Sequence, residues 1–157
     1  MKLIAMLFGG LMVLACGLND CLAMSVTHTY DNRSYEFELT SEKFYRAPKW
    51  NPQKSKHPPY PANKALEKGE EFIKRFPPKK DTHWEFQTLT LMPVKDYSAE
   101  SNSARKITGW VWLVSYQLRP VGNVGTTGYW PSMGCFILMD GSVVEPKVSP
   151  SLPIFRN

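Results

Sequence analysis

Residues 62–76 read ANKALEKGEEFIKRF. Ala62, Ala65, Leu66, Gly69, Phe72, Ile73 and Phe76 recur at steps of three and one, and so share one face of an α-helix. The remaining positions are nearly all Lys, Glu or Arg, the solvated side of the same helix. Pro61 suits a helix start, and Pro77-Pro78 block its continuation. Glu70 with Lys74, and Glu71 with Arg75, stand at i,i+4 in the favourable order. Gly69 in the middle of the apolar face costs about 1 kcal/mol of helix propensity, so it marks a close approach to another element. A helix with one apolar stripe needs a surface to cover.

That surface is sought in the flanking sequence. Downstream, Trp84-Glu85-Phe86-Gln87 alternates, and then Leu89 and Leu91 take the apolar role in the opposite phase, which predicts a bulge near Thr88 or a strand that crosses between two environments. From Gly109 to Arg119 the alternation is strongest. Trp110, Trp112, Val114, Tyr116 and Leu118 share one face, while Val111 and Leu113 begin the other, as in a central strand. Cys135 to Met139 is continuously apolar, Asp140-Gly141 signals a turn, and Ser142-Val143-Val144 reads as a short final strand. Upstream, Tyr35-Glu36-Phe37-Glu38-Leu39 is a half-buried strand. The proline-bearing basic stretch 46–61, the serine-rich stretch 95–106 and the glycine-rich stretch 119–134 are loops. Residues 147–157 form an extended, proline-containing tail.

The expected fold is α+β: one amphipathic helix packed on a curled antiparallel sheet of four to five strands. The helix 62–76 followed by strands as far as Val144, closed by the ending Phe136-Ile137-Leu138-Met139-Asp140-Gly141-Ser142-Val143-Val144, resembles PepSY-like and cystatin-like small exported domains. The resemblance implies that architecture and a non-catalytic binding or accessory role. The Gln-x-Val-x-Gly hairpin of protease-inhibiting cystatins has no counterpart in residues 95–106, so protease inhibition is not implied.

The N-terminus carries Lys2 and then an uncharged, apolar run to Leu18, too short for the roughly 20 residues a membrane-spanning helix needs. This is the pattern of a signal peptide over residues 1–23, with Cys21 and Ala23 as small residues before the cut. Alternatively, Val13-Leu14-Ala15-Cys16 serves as a lipoprotein box, and Cys16 anchors the chain to a membrane. Either way the protein is expected outside the cytoplasmic membrane, with residues 24–146 as a single domain. Of the three cysteines only Cys135 follows Ala23, so no internal disulfide is expected, and its apolar surroundings suit a buried thiol.

No motif compels a reaction. His28, His57 and His83 lie in separate segments without ligand spacing, so no metal or other cofactor is expected. Gly122-Asn123-Val124-Gly125-Thr126-Thr127-Gly128 lacks the helix start a phosphate loop requires. Two features remain. One is the aromatic strand face, which lines the pocket in an alternative reading as a small extracytoplasmic enzyme. The other is the basic segment 46–61, where Trp50, Lys54, Lys56 and Tyr60 are the candidate partner contacts: prolines limit the entropy lost, lysines attract, aromatics anchor. A free sheet edge is the second candidate surface. The net charge of +5 suits a protein, peptide or anionic-polymer partner; nucleic acid is not expected.

Overall fold

The computed structural model describes residues 22–95, 107–122 and 130–150. Strands β1 (Leu22–Tyr30) and β2 (Arg33–Thr40) pair antiparallel across Asp31-Asn32. Both turn residues have positive φ, 49° and 58°, a conformation that short polar side chains tolerate and tight hairpins need. Thr40 then accepts from the Lys43 amide and caps a short helix, α1 (Ser41–Arg46). After an irregular stretch comes α2 (Ala62–Ile73). Strands β3 (Thr82–Lys95), β4 (Ile107–Pro120) and β5 (Ser132–Ile137) form a second sheet in that order. Strand β6 (Lys147–Pro150) returns to pair with β2, giving the first sheet the order β1-β2-β6.

The expectation of one helix on one curled sheet of four to five strands is therefore corrected. The described residues form two three-stranded antiparallel sheets with two short helices. The reason lies at both ends of the chain. Met24, Val26, His28 and Tyr30 alternate with Ser25, Thr27 and Thr29, which makes a strand of residues assigned only to a mature N-terminus. Lys147–Pro150 has no apolar period and all four residues are exposed, so it is held by ladder pairing and by the ion pair of Lys147 with Glu38 rather than by burial. With β1 and β6 in place, Tyr35, Phe37 and Leu39 belong to a separate sheet. Residues 142–144, expected as a final strand, form a single bridge, Ile137 to Val143, with Leu138 donating to the Ser142 carbonyl and Val144 to the Phe136 carbonyl.

Helix α2 packs on β4 and β5 of the second sheet and meets β2 of the first. Phe72 stacks edge-on to Phe37 at 5.6 Å, and Phe76 to Tyr35 at 5.1 Å. A Cβ placed on Gly69 would lie 2.6 Å from Val114 Cγ1 and 3.0 Å from the Tyr116 hydroxyl, so glycine is what lets the helix seat. Ala65, Phe72, Ile73 and Phe76 are buried, as the helical face requires, whereas Leu66 is only partly so. The expected Glu70–Lys74 and Glu71–Arg75 pairs are replaced. Lys64 pairs with Glu67 and Lys68 with Glu71, while Arg75 leaves the helix to grip Glu145 through two hydrogen bonds of 2.9 and 3.1 Å. These pairs are exposed and contribute at most about 1 kcal/mol each.

The helix exit is tied to both sheets. Trp84 Nε1 of β3 donates to the Phe76 carbonyl at 2.7 Å, and the Tyr30 hydroxyl of β1 donates to the Pro77 carbonyl at 2.6 Å. Their rings lie 5.2 Å apart. The phase change in β3 is a bulge at Gln87, between the pairs Phe86–Tyr116 and Thr88–Ser115. Residues 1–21 lie outside the described residues, so the structure carries no account of the signal-peptide reading or of Cys16. Among the described residues no helix is long and apolar enough to cross a membrane.

Candidate functional site

Segment 47–61 lies across β4 and is pinned at both ends by that strand's tryptophans. At one end the Trp50 ring meets Trp110 edge-on at 5.8 Å. At the other, Trp112 Nε1 donates to the Tyr60 carbonyl at 2.9 Å. Helix α1 sets the starting point. Phe44 is buried against Gly109, where an added Cβ would come within 2.3 Å of its ring, and buried Ala47 then delivers Lys49 and Trp50 beside β4.

Between the pins the segment organises itself. Asn51 Oδ1 accepts from the Gln53 amide, and the Asn51 carbonyl accepts from the amides of Lys54 and Ser55. Trp50 Nε1 donates to the Ser55 carbonyl at 3.0 Å. A loop closed by its own polar groups loses little further entropy on binding. Lys49 Nζ sits 4.7 Å from the centre of the Tyr45 ring, a cation–π contact that leaves its charge exposed.

This loop and the start of β4 enclose an open groove of about 520 Å³. Lys49, Trp50, Asn51, Pro52, Gln53 and Lys54 form one wall, and Ile107, Thr108, Gly109 and Trp110 form the other. Among the described residues the lining holds two cations and no carboxylate. Ile107 leaves 45 % of its surface exposed at the rim.

The groove also meets an unpaired strand edge. The β4–β5 ladder stops at Trp112–Ile137, so among the described residues Ile107–Val111 has a strand neighbour only in β3. Leu118 donates its amide to the Pro131 carbonyl, towards the β5 side. Backbone groups of alternate residues point the same way, so Trp110 also turns its amide and carbonyl to that side. Pro93, which has no amide to offer, stands opposite Trp110 on β3. Among the described residues no partner takes up the Trp110 backbone groups.

Of the expected contacts, Trp50 and Lys54 come together in the groove. Lys56 is exposed outside it. Tyr60 faces inward instead: its ring fills the space beside Gly141, where a Cβ would lie 2.5 Å away. Trp110, Ile107 and Thr108 were not among the expected contacts. Their signal was the pairing of aromatic Trp50 with an indole one residue after a glycine, which only the fold makes visible.

The aromatic strand face is mostly occupied. Trp112 and Tyr116 are buried under α2 and the 47–61 segment, and Trp84 is held at the helix exit. The Cys135 thiol is fully buried, and that burial pushes it up to about 12, so it stays protonated at neutral pH. His28 lies where β1 meets β5. Burial lowers its pKa, and a backbone group of Ser132 restores part of it. His28 Nδ1 is 3.4 Å from Ser132 Oγ, and its Nε2 is buried without a partner. His57 and His83 are exposed in other segments. Among the described residues no three metal-ligating side chains gather. The glycine-rich stretch 123–129 lies outside the described residues. Comparison with protein-family models, curated proteins and solved structures finds no match.

Proposed function

We propose that this chain is an exported, non-catalytic binding module that holds a partner in the groove between segment 49–54 and the start of β4. One observation carries the reading: among the described residues, the basic aromatic loop and an unpaired strand edge converge on one cleft, lined by two indoles and two lysines without an opposing acid. Indoles supply contact area at low entropic cost, and unopposed cations favour an anionic or electron-rich partner. The reading as an extracytoplasmic enzyme has less support, because the strand face that would line its pocket is filled by α2 and Tyr60, and Cys135 is a protonated core thiol. Export is supported by the sequence of residues 1–23, and lipid attachment at Cys16 is its variant.

Two measurements test this. Intact mass of the mature protein should correspond to a start at Met24; a start at lipidated Cys16 makes the module membrane-anchored, and retention of residues 1–15 removes export. For binding, the mature chain and its Lys49→Glu/Lys54→Glu variant are each used to capture partners from the native host. Partner recovery should drop sharply in the variant while circular dichroism stays native. Equal recovery places the contact elsewhere and overturns the groove assignment.

A further inference from the structure

We infer that the groove's occupant is an extended, acidic peptide segment that adds to β4 alongside Ile107–Val111; this rests on the binding-module reading and narrows its partner. Three observations converge on a peptide strand. First, Trp110 presents an amide and a carbonyl on the side where β5 has ended, the donor–acceptor pair that an added strand takes up. Second, the long outer strand β3 carries two features that discourage edge pairing, a bulge at Gln87 and Pro93, whereas the one irregularity of β4 here falls at Thr108 and leaves Gly109 to Val111 regular. Third, Ile107 is an exposed apolar side chain at the groove rim, suited to an alternate side chain of an incoming strand.

The acidity follows from charge. Lys49 and Lys54 stand on the wall facing the edge, and among the described residues the groove lining contains no carboxylate to neutralise either. Neither lysine has an ion-pair partner among the described residues. A strand bearing Asp or Glu beside one apolar residue would place its carboxylates against the lysines and its apolar side chain against Trp50 and Trp110. A sugar polymer of the same charge would satisfy the lysines and indoles but leave the Trp110 backbone pair unused.

The test selects binders from a random dodecapeptide display library on the folded mature chain. Enriched sequences should combine β-branched residues with Asp or Glu, and their affinity should fall as salt rises. Lys49→Glu/Lys54→Glu should weaken them at least about tenfold, and Lys49→Gln/Lys54→Gln by less, each with a native circular dichroism spectrum. Methylating alternate backbone amides of a selected peptide should abolish binding, and the bound peptide should slow hydrogen exchange at the Trp110 amide. A library without enrichment, or binders indifferent to both lysine variants, overturns the inference. A linear oligogalacturonate that quenches tryptophan fluorescence when the library yields nothing overturns the peptide and keeps the groove. Failure of both ligands, with host capture unchanged in the glutamate variant, removes the groove as well.

Discussion

The two ends of β4 have the same kind of sequence and opposite fates. From Trp112 to Gln117 the strand is flanked on both sides, roofed by α2 and closed by Gly69 against Val114. From Ile107 to Trp110 it is paired on one side and faces an open groove. Trp110 and Trp112 sit two residues apart on one face, yet Trp112 is 7 % exposed with its indole N–H satisfied, while Trp110 remains partly accessible. Amino-acid type does not separate a core tryptophan from a contact tryptophan here. What separates them is where β5 stops.

The sharpest way to break this contrast is to truncate each tryptophan. Trp112→Ala should cost about 3–5 kcal/mol in a denaturant titration, through a buried cavity and an orphaned Tyr60 carbonyl. Trp110→Ala should cost only about 1 kcal/mol while weakening partner binding. Similar losses of stability from the two variants would mean that the groove is as much core as the roofed half.

Gly69→Ala probes the roof itself. Alanine gains helix propensity but drives a methyl group towards Val114 Cγ1, whose branched side chain cannot swing aside. The net result should be a loss of about 1–3 kcal/mol. A stabilised variant would show that α2 rides higher than its packing implies.

A pH titration of stability examines the seam between the sheets. His28 has a folded pKa below its ordinary value of 6.5, so the unfolded chain takes up a proton that the folded chain resists. Stability should be level above pH 6.5 and fall as the pH drops below it, and His28→Gln should flatten that part of the fall. An unchanged profile in the variant would assign the acid sensitivity to other groups.

The smallest effect is expected from Tyr116→Phe. The Tyr116 hydroxyl is buried under α2 without a hydrogen-bond partner, so removing it should be neutral or stabilising by up to about 1 kcal/mol. A clear destabilisation would reveal a bound water or another acceptor at that oxygen.

Much of this could be read along the chain. The α2 face, the role of Gly69, the central position of β4 and the bulge in β3 follow from periodicity and from a glycine placed where propensity disfavours it. The division into two sheets did not. Alternation shows that Tyr35–Leu39 is a strand but not which strand lies beside it, and β6 has no apolar signal because all its side chains are exposed. The site was half legible for the same reason. Composition singled out Trp50 and Lys54, but Trp110 is indistinguishable in sequence from Trp112. Tyr60 looked like a contact residue because nothing local shows that Gly141, some eighty positions away, leaves a hole for its ring.

The pairing of β2 with β6 also constrains the order of events. Tyr35 pairs locally with His28 but finds its second neighbour at Val148, so the first sheet is completed by closing a loop on the order of a hundred residues, an entropic cost met late rather than early. Until then β2 has one strand neighbour and an open edge along Arg33–Glu36. The four exposed residues of β6 then act as a latch, adding little burial but ending the interval in which β2 can pair with a second chain instead of its own.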